Sequence, residues 1–432
     1  MAGTAAETFG PIFAALLGPD LPVRVRYWDG SAHGPLDRSG QVVFHTPRAM
    51  RRFLYSPDEV GLARAYVLEE LTIEGDELET LRSLVDAPDD LRVPPRQLAS
   101  AMIGAARLGV LGLPLAPPPE EVRVRGRHHG RRRDRAAVTH HYDLSNDFYR
   151  LLLGPSMTYS CARFIGRDDS LETAQAAKYD LICQKLGLTD GMRLLDVGCG
   201  WGGMAVHAAT HHGVEVVGVT VSPSQAELAR RRVADAGLEG MVEIRLQDYR
   251  DLAGRHERFH AVSSIGMFEH VGMARTSEYF RALAARLEPH GRLLNHAIST
   301  PEGSRPSRHS FISRYVFPDG ELQDVGVVVR SMQDQGLEVR DVEGFREHYP
   351  LTLRSWLANL DNQWDEAVAL VGHRRARIWR LYLMGSIVNF EGAAVGVHQV
   401  LAVRLDKGGS SGMPLTLPWR AVTGTPRPVM RE

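Results

Sequence analysis

Residues 194–209 read LLDVGCGWGGMAVHAA, an apolar run that passes through a glycine-rich turn into a second apolar run. Gly198, Gly200 and Gly203 have the GxGxxG spacing. In this pattern the glycines let the backbone approach a ligand closely, and the following helix offers free N–H groups. The stretch therefore predicts a strand, a nucleotide-binding loop and a helix, in that order. The spacing alone does not identify the nucleotide.

Residues around this loop distinguish between nucleotide cofactors. A dinucleotide site needs an acid about 20 residues further on, at the end of the second strand. Here that strand, VEVVGVTVS, ends in Thr220 and Ser222. Instead, Asp196 stands before the first glycine, and LQDY at 246–249 follows the third predicted strand. These features are typical of methyltransferases that bind S-adenosylmethionine. A glycine turn with surface acids is the weaker interpretation.

Strand and helix patterns alternate on both sides of the loop. The segment 170–188 predicts a helix, with Asp169 and Glu172 at capping-box spacing and Gly187 as its stop. The repeated units predict an α/β fold, a class I (Rossmann-like) methyltransferase with a doubly wound, mostly parallel sheet. Near the N-terminus, VRVRYWDG and QVVFHT alternate like strands, and the stretch 56–73 predicts an amphipathic helix. This part is expected to be a small α+β domain.

Length and composition set the broad organisation. A chain of 432 residues is expected to form two or three domains. We predict an N-terminal domain at 1–113, a proline-rich and then basic linker at 114–138, a catalytic domain at 139–406 and a flexible tail at 407–432. The net charge of −1 argues against a nucleic-acid partner.

Cysteine usage and hydropathy indicate the compartment. Cys161, Cys183 and Cys199 have neither metal-ligand spacing nor an even count for disulfides, so we expect no metal and a reducing cytoplasm. The N-terminus lacks the basic start of a signal peptide. The most apolar later stretch, 100–114, is shorter than the ~20 residues of a membrane span.

Seven ordered motifs carry a resemblance to a known family. From about Thr139 to Phe390 the chain resembles the cyclopropane-fatty-acyl-phospholipid synthases and mycolic acid cyclopropane synthases. Within them it is most similar to the actinobacterial branch that makes 10-methylene fatty acyl phospholipids, the precursors of tuberculostearic acid. The motifs are HHYDLSNDFY (140–149), MTYSCA (157–162), LLDVGCGWGG (194–203), VVGVTVSPSQ (216–225), LQDYRDL (246–252), SIGMFEHVG (264–272) and RYVFPDG (314–320).

The resemblance implies methyl transfer from S-adenosylmethionine to a cis double bond in a lipid acyl chain. Attack by the alkene leaves a carbocation that must be shielded from water, and a base then removes a proton. In this family the base is a bound bicarbonate ion. Carried over by motif, its holders here are Cys161, Glu269, His296, Tyr349 and the backbone N–H of Ile298. A shared proton would relieve the repulsion between Glu269 and the ion.

The resemblance also implies a cofactor site. Without the resemblance, a cysteine such as Cys161 is more often a small buried core residue, and His296 is equally well a core histidine. Thr220 and Gln225 are expected to replace the missing ribose acid with neutral hydrogen bonds. Together with the loop and the LQDY motif, the expected cofactor-binding residues are Tyr159, Ser160, Asp196, Gly198, Gly200, Thr220, Gln225, Gln247, Asp248, Tyr249 and Gly266.

Substrate presentation depends on the N-terminal third. Residues 1–113 loosely resemble the lipid-binding module of the phospholipid-acting synthases, whereas the mycolic acid enzymes, which use carrier-bound chains, lack it. The basic stretch Arg123–Arg135 is expected to hold the enzyme peripherally at the inner face of the membrane, each arginine contributing about 1 kcal/mol. A merely solvated linker is the alternative. Expected partners are oleoyl-type phospholipid chains, further copies of this chain in a homo-oligomer and a separate reductase.

The product and the acceptor stay open at this point. Proton loss gives either a cyclopropane ring or, after hydride migration, a 10-methylene branch, which we favour slightly. A cyclopropane synthase for carrier-bound chains and a small-molecule S-adenosylmethionine methyltransferase are the enzymatic alternatives. A non-catalytic lipid-binding protein is a third, against which the intact loop argues.

Overall fold

The computed structural model describes residues 3–85, 94–122, 130–131, 133, 145–254, 256–304 and 310–420. Its strands, in chain order, are β1 (Arg24–Arg26), β2 (Ala32–His33), β3 (Gly40–Phe44), β4 (Leu71–Gly75), β5 (Arg193–Val197), β6 (Glu215–Thr220), β7 (Val242–Leu246), β8 (Phe259–Ile265), β9 (Leu287–Ser299), β10 (Leu337–Gly344) and β11 (Gly396–Arg404). Its α-helices are α1 (Ala5–Leu17), α2 (Pro47–Tyr55), α3 (Glu59–Val67), α4 (Glu77–Val85), α5 (Pro95–Arg107), α6 (Asn146–Leu153), α7 (Leu171–Leu186), α8 (Gly203–His212), α9 (Pro223–Asp235), α10 (Thr276–Ala284), α11 (Phe311–Tyr315), α12 (Val325–Gln333), α13 (His348–Asn362), α14 (Trp364–Val371) and α15 (His373–Glu391).

The described residues divide into two compact units, neither of which is one continuous segment. The first is drawn from 1–128, 305–319 and 353–393, and the second from 129–304, 320–352 and 394–432. Helix α15 groups with the N-terminal residues because Leu381 packs against their apolar core and Arg377 Nε donates to the carbonyl of Tyr66 at 2.9 Å. The compact units thus interleave along the chain, and the limits at 113, 138 and 406 stay predictions from composition.

The first unit is built on a four-stranded sheet with the order β2–β1–β3–β4. Strands β1 and β3 are parallel, and the other two pairs are antiparallel. Aromatic side chains fill its core, with the rings of Phe13 and Phe53 stacked at 5.3 Å. The small α+β fold predicted for this part of the chain is confirmed.

The second unit contains a seven-stranded sheet with the order β10–β11–β9–β8–β5–β6–β7. Strand β11 is antiparallel to both of its neighbours, and the pairs from β9 through β7 are parallel. Leu194, Leu195 and Val197 of β5 are all buried, as expected for a central strand covered on both faces. The doubly wound, mostly parallel sheet predicted from the alternating pattern is confirmed.

Chain order reverses beside β5, which has β6 on one side and β8 on the other. In open α/β sheets, ligands bind at such a switch point, outside the carboxyl ends of the strands. The glycine loop follows β5 at this position and leads into α8. The topology of the sheet therefore places the glycine loop at the expected binding crevice.

Two local predictions were wrong. Helix α7 begins after Ser170, whose hydroxyl accepts from the backbone N–H of Thr173, while Asp169 accepts from the N–H groups of Ile165 and Gly166. The capping box at Asp169 and Glu172 is therefore absent, although Gly187 ends the helix in the left-handed conformation as predicted. The helix predicted over 56–73 stops at Val67, because 71–75 pairs with β3 as β4.

The predicted linker and tail lie partly outside the described residues. Of the basic stretch Arg123–Arg135, positions 123–129, 132 and 134–135 are not described, and neither are residues 421–432. Within the predicted linker, Glu121 is buried and pairs with Arg64 at 2.8 Å. Trp419, in the predicted tail, donates to Asp341 at 3.2 Å. Over the part of the chain that the structure describes, no helix has the length and apolar character needed to cross a bilayer.

Candidate active site

A pocket lies at the carboxyl ends of β5, β6 and β8, at the switch point of the sheet. Its wall includes the glycine loop, the end of β6, the segment after β7 and the first residues after β8. Most of the predicted cofactor residues form this wall: Tyr159, Asp196, Gly198, Gly200, Thr220, Gln225, Gln247, Tyr249 and Gly266. The structure thus brings together residues that lie far apart in sequence.

The loop requires glycine at its first position. Gly198 has φ +78°, in the left-handed region that side chains rarely adopt. A Cβ built on Gly198 would lie 3.0 Å from the Cβ of Met267, which is closer than normal packing allows. The turn therefore depends on the absence of a side chain here.

Asp196 supplies a buried acid under the loop. Its Oδ1 accepts a 2.7 Å hydrogen bond from the hydroxyl of Ser263. Burial raises the pKa of Asp196 to about 6, although the Ser263 bond and the nearby Lys178 act in the opposite direction. At neutral pH a minor fraction of this carboxyl group is therefore protonated. A cationic ligand group nearby would favour its charged form.

The remaining polar lining is neutral. The Thr220 hydroxyl donates to Oε1 of Gln225 at 2.8 Å, which fixes the two side chains together at the end of β6. Tyr249 is buried and packs edge-on against Tyr279, with ring centroids 4.8 Å apart. A carboxylate, a neutral pair suited to hydroxyls and an aromatic ring fit the amino group, ribose and adenine of S-adenosylmethionine.

Two predicted cofactor residues, Asp248 and Ser160, are not among the lining residues. Arg250 donates to the Asp248 carboxylate at 2.8 Å from Nε and 2.6 Å from Nη2. Burial alone would raise the pKa of Asp248, but these bonds hold it below its usual range. Ser160 is buried, and its hydroxyl accepts from Lys178 Nζ at 2.9 Å.

Glu269 lies on a short 3₁₀ helix, Phe268–His270, just after β8. The backbone N–H of Ile298 donates to its Oε1 at 2.8 Å. Its other oxygen, Oε2, is buried and has no hydrogen-bond partner among the described residues. Burial raises the pKa of Glu269 to about 7, against the two backbone hydrogen bonds that lower it. The carboxyl can therefore hold or release a proton near neutral pH.

His296 lies on β9, opposite Gln399 of β11. The Gln399 amide nitrogen is 3.3 Å from Nδ1, and it donates to that atom in the tautomer that carries the ring proton on Nε2. Nε2 is buried and unpartnered in the part of the chain that the structure describes. Burial holds the pKa of His296 well below its usual range, so the ring is neutral and offers one N–H donor.

Phe345 contacts both His296 and Cys161. The ring centroids of Phe345 and His296 lie 5.9 Å apart, and the Phe345 carbonyl oxygen is 3.8 Å from the Cys161 sulfur. Burial raises the pKa of the Cys161 thiol far above its ordinary value, so the sulfur is protonated. Tyr349 is buried in the first turn of α13, which begins three residues after Phe345.

Sequence reasoning missed several residues of this region. Met267 and His270 line the pocket in a motif from which the sequence predicted only Gly266 and Glu269 as site residues. Trp201, within the glycine loop, also lines the pocket, and its indole N–H donates to Asn146 at 2.9 Å. Lys178 is fully buried on α7. Its signal was a lysine on the same helical stripe as Ala174 and Ile182.

A cluster of potential metal ligands lies away from this pocket. Ligand atoms of Cys183, His207 and His212 lie within 4.8 Å of one another. Spacing in sequence could not predict this group, because it joins α7 to α8. His207 already bonds Asp180 at 2.8 Å, and burial raises the pKa of the Cys183 thiol to about 12. These properties favour a packed, uncharged cluster over a thiolate site.

Comparison with known proteins is consistent with this geometry. Residues 129–400 match the family model described as mycolic acid cyclopropane synthetase. A probable fatty acid methyltransferase of Mycobacterium tuberculosis is 44% identical over 411 residues, which cover 92% of this chain and 94% of that protein. The tuberculostearic acid methyltransferase UfaA1 of the same organism is 32% identical over 398 residues, which cover 89% and 88% of the two chains.

A solved structure gives the cofactor class. The mycolic acid cyclopropane synthase CmaA1, solved with S-adenosylhomocysteine and CTAB, superposes with a TM-score of 0.58 and 35% identity, covering 62% of this chain and 97% of that one. S-adenosylhomocysteine is the demethylated form of S-adenosylmethionine, so the comparison supports the methyl donor that the pocket fits. The chain belongs to the mycolic acid cyclopropane synthetase family and is an S-adenosylmethionine-dependent methyltransferase.

Proposed function

We propose that this enzyme transfers a methyl group to the cis double bond of an unsaturated, oleoyl-type fatty acyl chain in membrane phospholipid. The resulting carbocation loses a proton to give a 10-methylene branch or a cyclopropane ring. Relatives named as fatty acid and tuberculostearic acid methyltransferases support an acyl acceptor, and they align over most of this chain.

The observation that carries this proposal is the pair of unpartnered buried atoms, Glu269 Oε2 and His296 Nε2. Buried polar atoms are nearly always hydrogen-bonded, so these two atoms, on residues that the resemblance assigns to the base site, support a polar guest there. An oxygen or nitrogen acceptor loses its proton from the atom that is methylated, and a side chain can serve as the base. An alkene acceptor gives a carbocation instead, and forming a methylene branch or a cyclopropane ring requires a base that removes a proton from carbon inside a water-free site.

Bicarbonate fits the donor and acceptor pattern of these residues. Neutral His296 offers an N–H donor, Cys161 a weak S–H donor, and Glu269 a carboxyl that accepts or donates a proton. The N–H of Ile298 holds Glu269 in place, and Tyr349, which the resemblance adds to the set, is buried at the start of α13. When bound, bicarbonate supplies the base. The chain's own residues orient it and exclude water, which protects the cation from hydration.

The remaining third of the chain supports a phospholipid acceptor. The compared mycolic acid cyclopropane synthase aligns over 97% of its own length but only 62% of this chain. The additional residues include the α+β unit with its own aromatic core. We propose that this unit and the basic stretch present bilayer lipid to the enzyme from the inner face of the membrane, that the enzyme works as a homo-oligomer, and that a reductase saturates a methylene product.

Product analysis tests the proposal. Purified protein is incubated with S-adenosylmethionine and vesicles of cis-monounsaturated phosphatidylglycerol, with fully saturated vesicles as the control, and the acyl chains are analysed by gas chromatography and mass spectrometry. A one-carbon gain only with unsaturated lipid supports the proposal. Mild hydrogenation then converts a methylene product to a methyl branch but leaves a cyclopropane unchanged. A gain only on carrier-bound acyl chains, or only on small molecules, would contradict the phospholipid acceptor.

A further inference from the structure

Helix α7 buries two lysines completely, and their charges are neutralised differently. Lys185 Nζ pairs with Asp341 at 3.2 Å and also with Glu343. Lys178 Nζ donates to the Ser160 hydroxyl at 2.9 Å and lies 4.2 Å from the centroid of the Tyr179 ring. Among the residues that the structure describes, no carboxylate lies within ion-pair distance of Lys178.

A buried ammonium without an anion is energetically unfavourable, at several kcal/mol for each ion. Burial lowers the pKa of Lys178 to about 7, although Cys161 and Asp196 both act to raise it. A buried lysine usually has a carboxylate partner, as Lys185 does. The missing partner of Lys178 is therefore a property of the site that needs an explanation.

Lys178 lies between the methyl-donor pocket and the candidate base site. Its partner Ser160 stands between Tyr159, which lines the pocket, and Cys161, which belongs to the base site. Gln175, one turn earlier on α7, donates to the Ser160 carbonyl at 3.0 Å, so the helix holds this segment at two points. The charge of Lys178 acts on Cys161, Asp196 and His296.

The base site lacks a positive charge of its own. His296 is neutral, Cys161 is a protonated thiol, and Glu269 is either neutral or negative. Lys185 also acts on His296, but Asp341 and Glu343 already neutralise its charge. Within the described residues, Lys178 is therefore the cation near the site that has no carboxylate partner and could compensate a bound anion. The same holds for the carboxylate of the methyl donor, because the acidic group that lines the pocket, Asp196, has the same sign of charge.

We propose that Lys178 is a positioning residue that acts through Ser160 and provides the positive charge for a carboxylate-type anion bound at the junction of the two sites. This inference rests on the proposed function. The anion has two possible sources with the same trigonal oxygen chemistry, the carboxylate of the methyl donor and bicarbonate. When the anion binds, the Lys178 ammonium gains the ion-pair partner that no described carboxylate provides.

The test compares Lys178→Met with Lys185→Met in the full chain. Both changes remove one fully buried ammonium from α7, but only Lys185→Met breaks ion pairs: Glu343 loses its lysine partner, and Asp341 keeps Arg420 alone. We expect Lys185→Met to lower the melting temperature and Lys178→Met to preserve or raise it. Lys178→Gln, which keeps a hydrogen-bond donor, serves as the second variant in case the methionine variant does not fold.

Binding then identifies the anion. Calorimetry measures affinity for S-adenosylhomocysteine and for its decarboxylated analogue, and ¹³C NMR titration measures affinity for bicarbonate. If the donor carboxylate is the partner, Lys178→Met lowers the affinity for S-adenosylhomocysteine at least tenfold and leaves the affinity for the decarboxylated analogue unchanged. If bicarbonate is the partner, the affinity of Lys178→Met for bicarbonate falls at least tenfold, and its affinity for S-adenosylhomocysteine does not change. Lys185→Met should change neither affinity by more than about twofold.

A folded Lys178→Met variant with wild-type affinity for both anions would overturn the inference. The proposed function fails by a different measurement, the absence of a one-carbon gain on any unsaturated acyl chain. The binding assays do not depend on that product, so the two failures are distinguishable.

Discussion

The backbone N–H of Ile298 and the carboxyl of Glu269 form a 2.8 Å hydrogen bond that leaves the second carboxyl oxygen, Oε2, buried and unpartnered within the described residues. One oxygen is thus fixed by β9, while the other is available to a guest in the site. This arrangement lets a single side chain be held rigidly and still exchange a proton.

Glu269→Gln should abolish most of the methyl transfer without loss of cofactor binding. The amide keeps the size of the side chain and an acceptor for Ile298, but it cannot exchange a proton. We expect the turnover number to fall by about 100-fold or more, with the affinity for S-adenosylhomocysteine unchanged by calorimetry. Wild-type turnover in this variant would favour a small-molecule methyltransferase with no base site.

The same carboxyl gives protein stability a pH dependence of known sign. Burial raises the pKa of Glu269 from 4.5 to about 7, so between these values the folded protein holds a proton that the unfolded chain has released. The free energy of unfolding therefore falls as pH rises through this window. Glu269→Gln lacks this contribution, so its stability relative to wild type should increase from pH 5 to pH 8 by an amount on the order of 3 kcal/mol.

Denaturant unfolding of both proteins at several pH values measures this difference. Asp196 also has a raised pKa, but both proteins contain it and its contribution cancels in the comparison. A stability difference that is constant with pH would show that Glu269 titrates normally in the folded protein.

Asp196 and Asp248 should contribute unequally to cofactor binding. Asp196 lines the pocket, whereas Asp248 is held by hydrogen bonds from the backbone and side chain of Arg250 and is not among the lining residues. We expect Asp196→Asn to weaken S-adenosylmethionine binding by about tenfold or more, equivalent to about 1.4 kcal/mol. Asp248→Asn should change it by less than about threefold. The reverse order, measured by calorimetry, would restore the adenine-binding role that the LQDY motif predicts.

Alanine at Gly198 should be less tolerated than alanine at Gly200. Both glycines have positive φ, +78° and +54°, so each alanine carries backbone strain of about 1–2 kcal/mol. Only at Gly198 would the new Cβ also meet Met267, since nothing lies within 4 Å of the corresponding position on Gly200. Denaturant unfolding should therefore show a larger loss of stability for Gly198→Ala. Equal losses would mean that Met267 moves aside freely.

Local pattern predicted the main elements correctly but not every boundary. Asp169 and Ser170 are both good capping residues, and the hydrogen bonds of the preceding turn engage Asp169 and leave Ser170 to cap α7. At 71–75, three apolar or β-branched residues continue a helical pattern, and only pairing with β3 makes them a strand. In both cases the residues permit two structures, and neighbouring elements select one.

Charged residues were the least predictable part of the site. The LQDY motif located its loop correctly, but the partner of Asp248 is Arg250, two residues away, and that bond is a matter of side-chain geometry. Lys178 lies in an ordinary helical sequence, and its burial became visible only from the packing of α7. A residue's protonation depends on its solvation and neighbours, which sequence order does not give.

Periodicity and turn chemistry involve neighbouring residues, so the chain's own pattern was sufficient to predict the parallel sheet, the glycine loop after β5 and the class of cofactor. Glu269, His296 and Cys161 come from three separate segments. His296 and Cys161 each contact Phe345, and Glu269 bonds Ile298, two residues after His296 on β9, so the register of β8, β9 and β11 brings them together. Burial in that assembled site then raises the pKa of Glu269 to about 7 and lowers the pKa of His296, which keeps the imidazole neutral. These properties arise from excluded water and packed neighbours, and no stretch of sequence contains them.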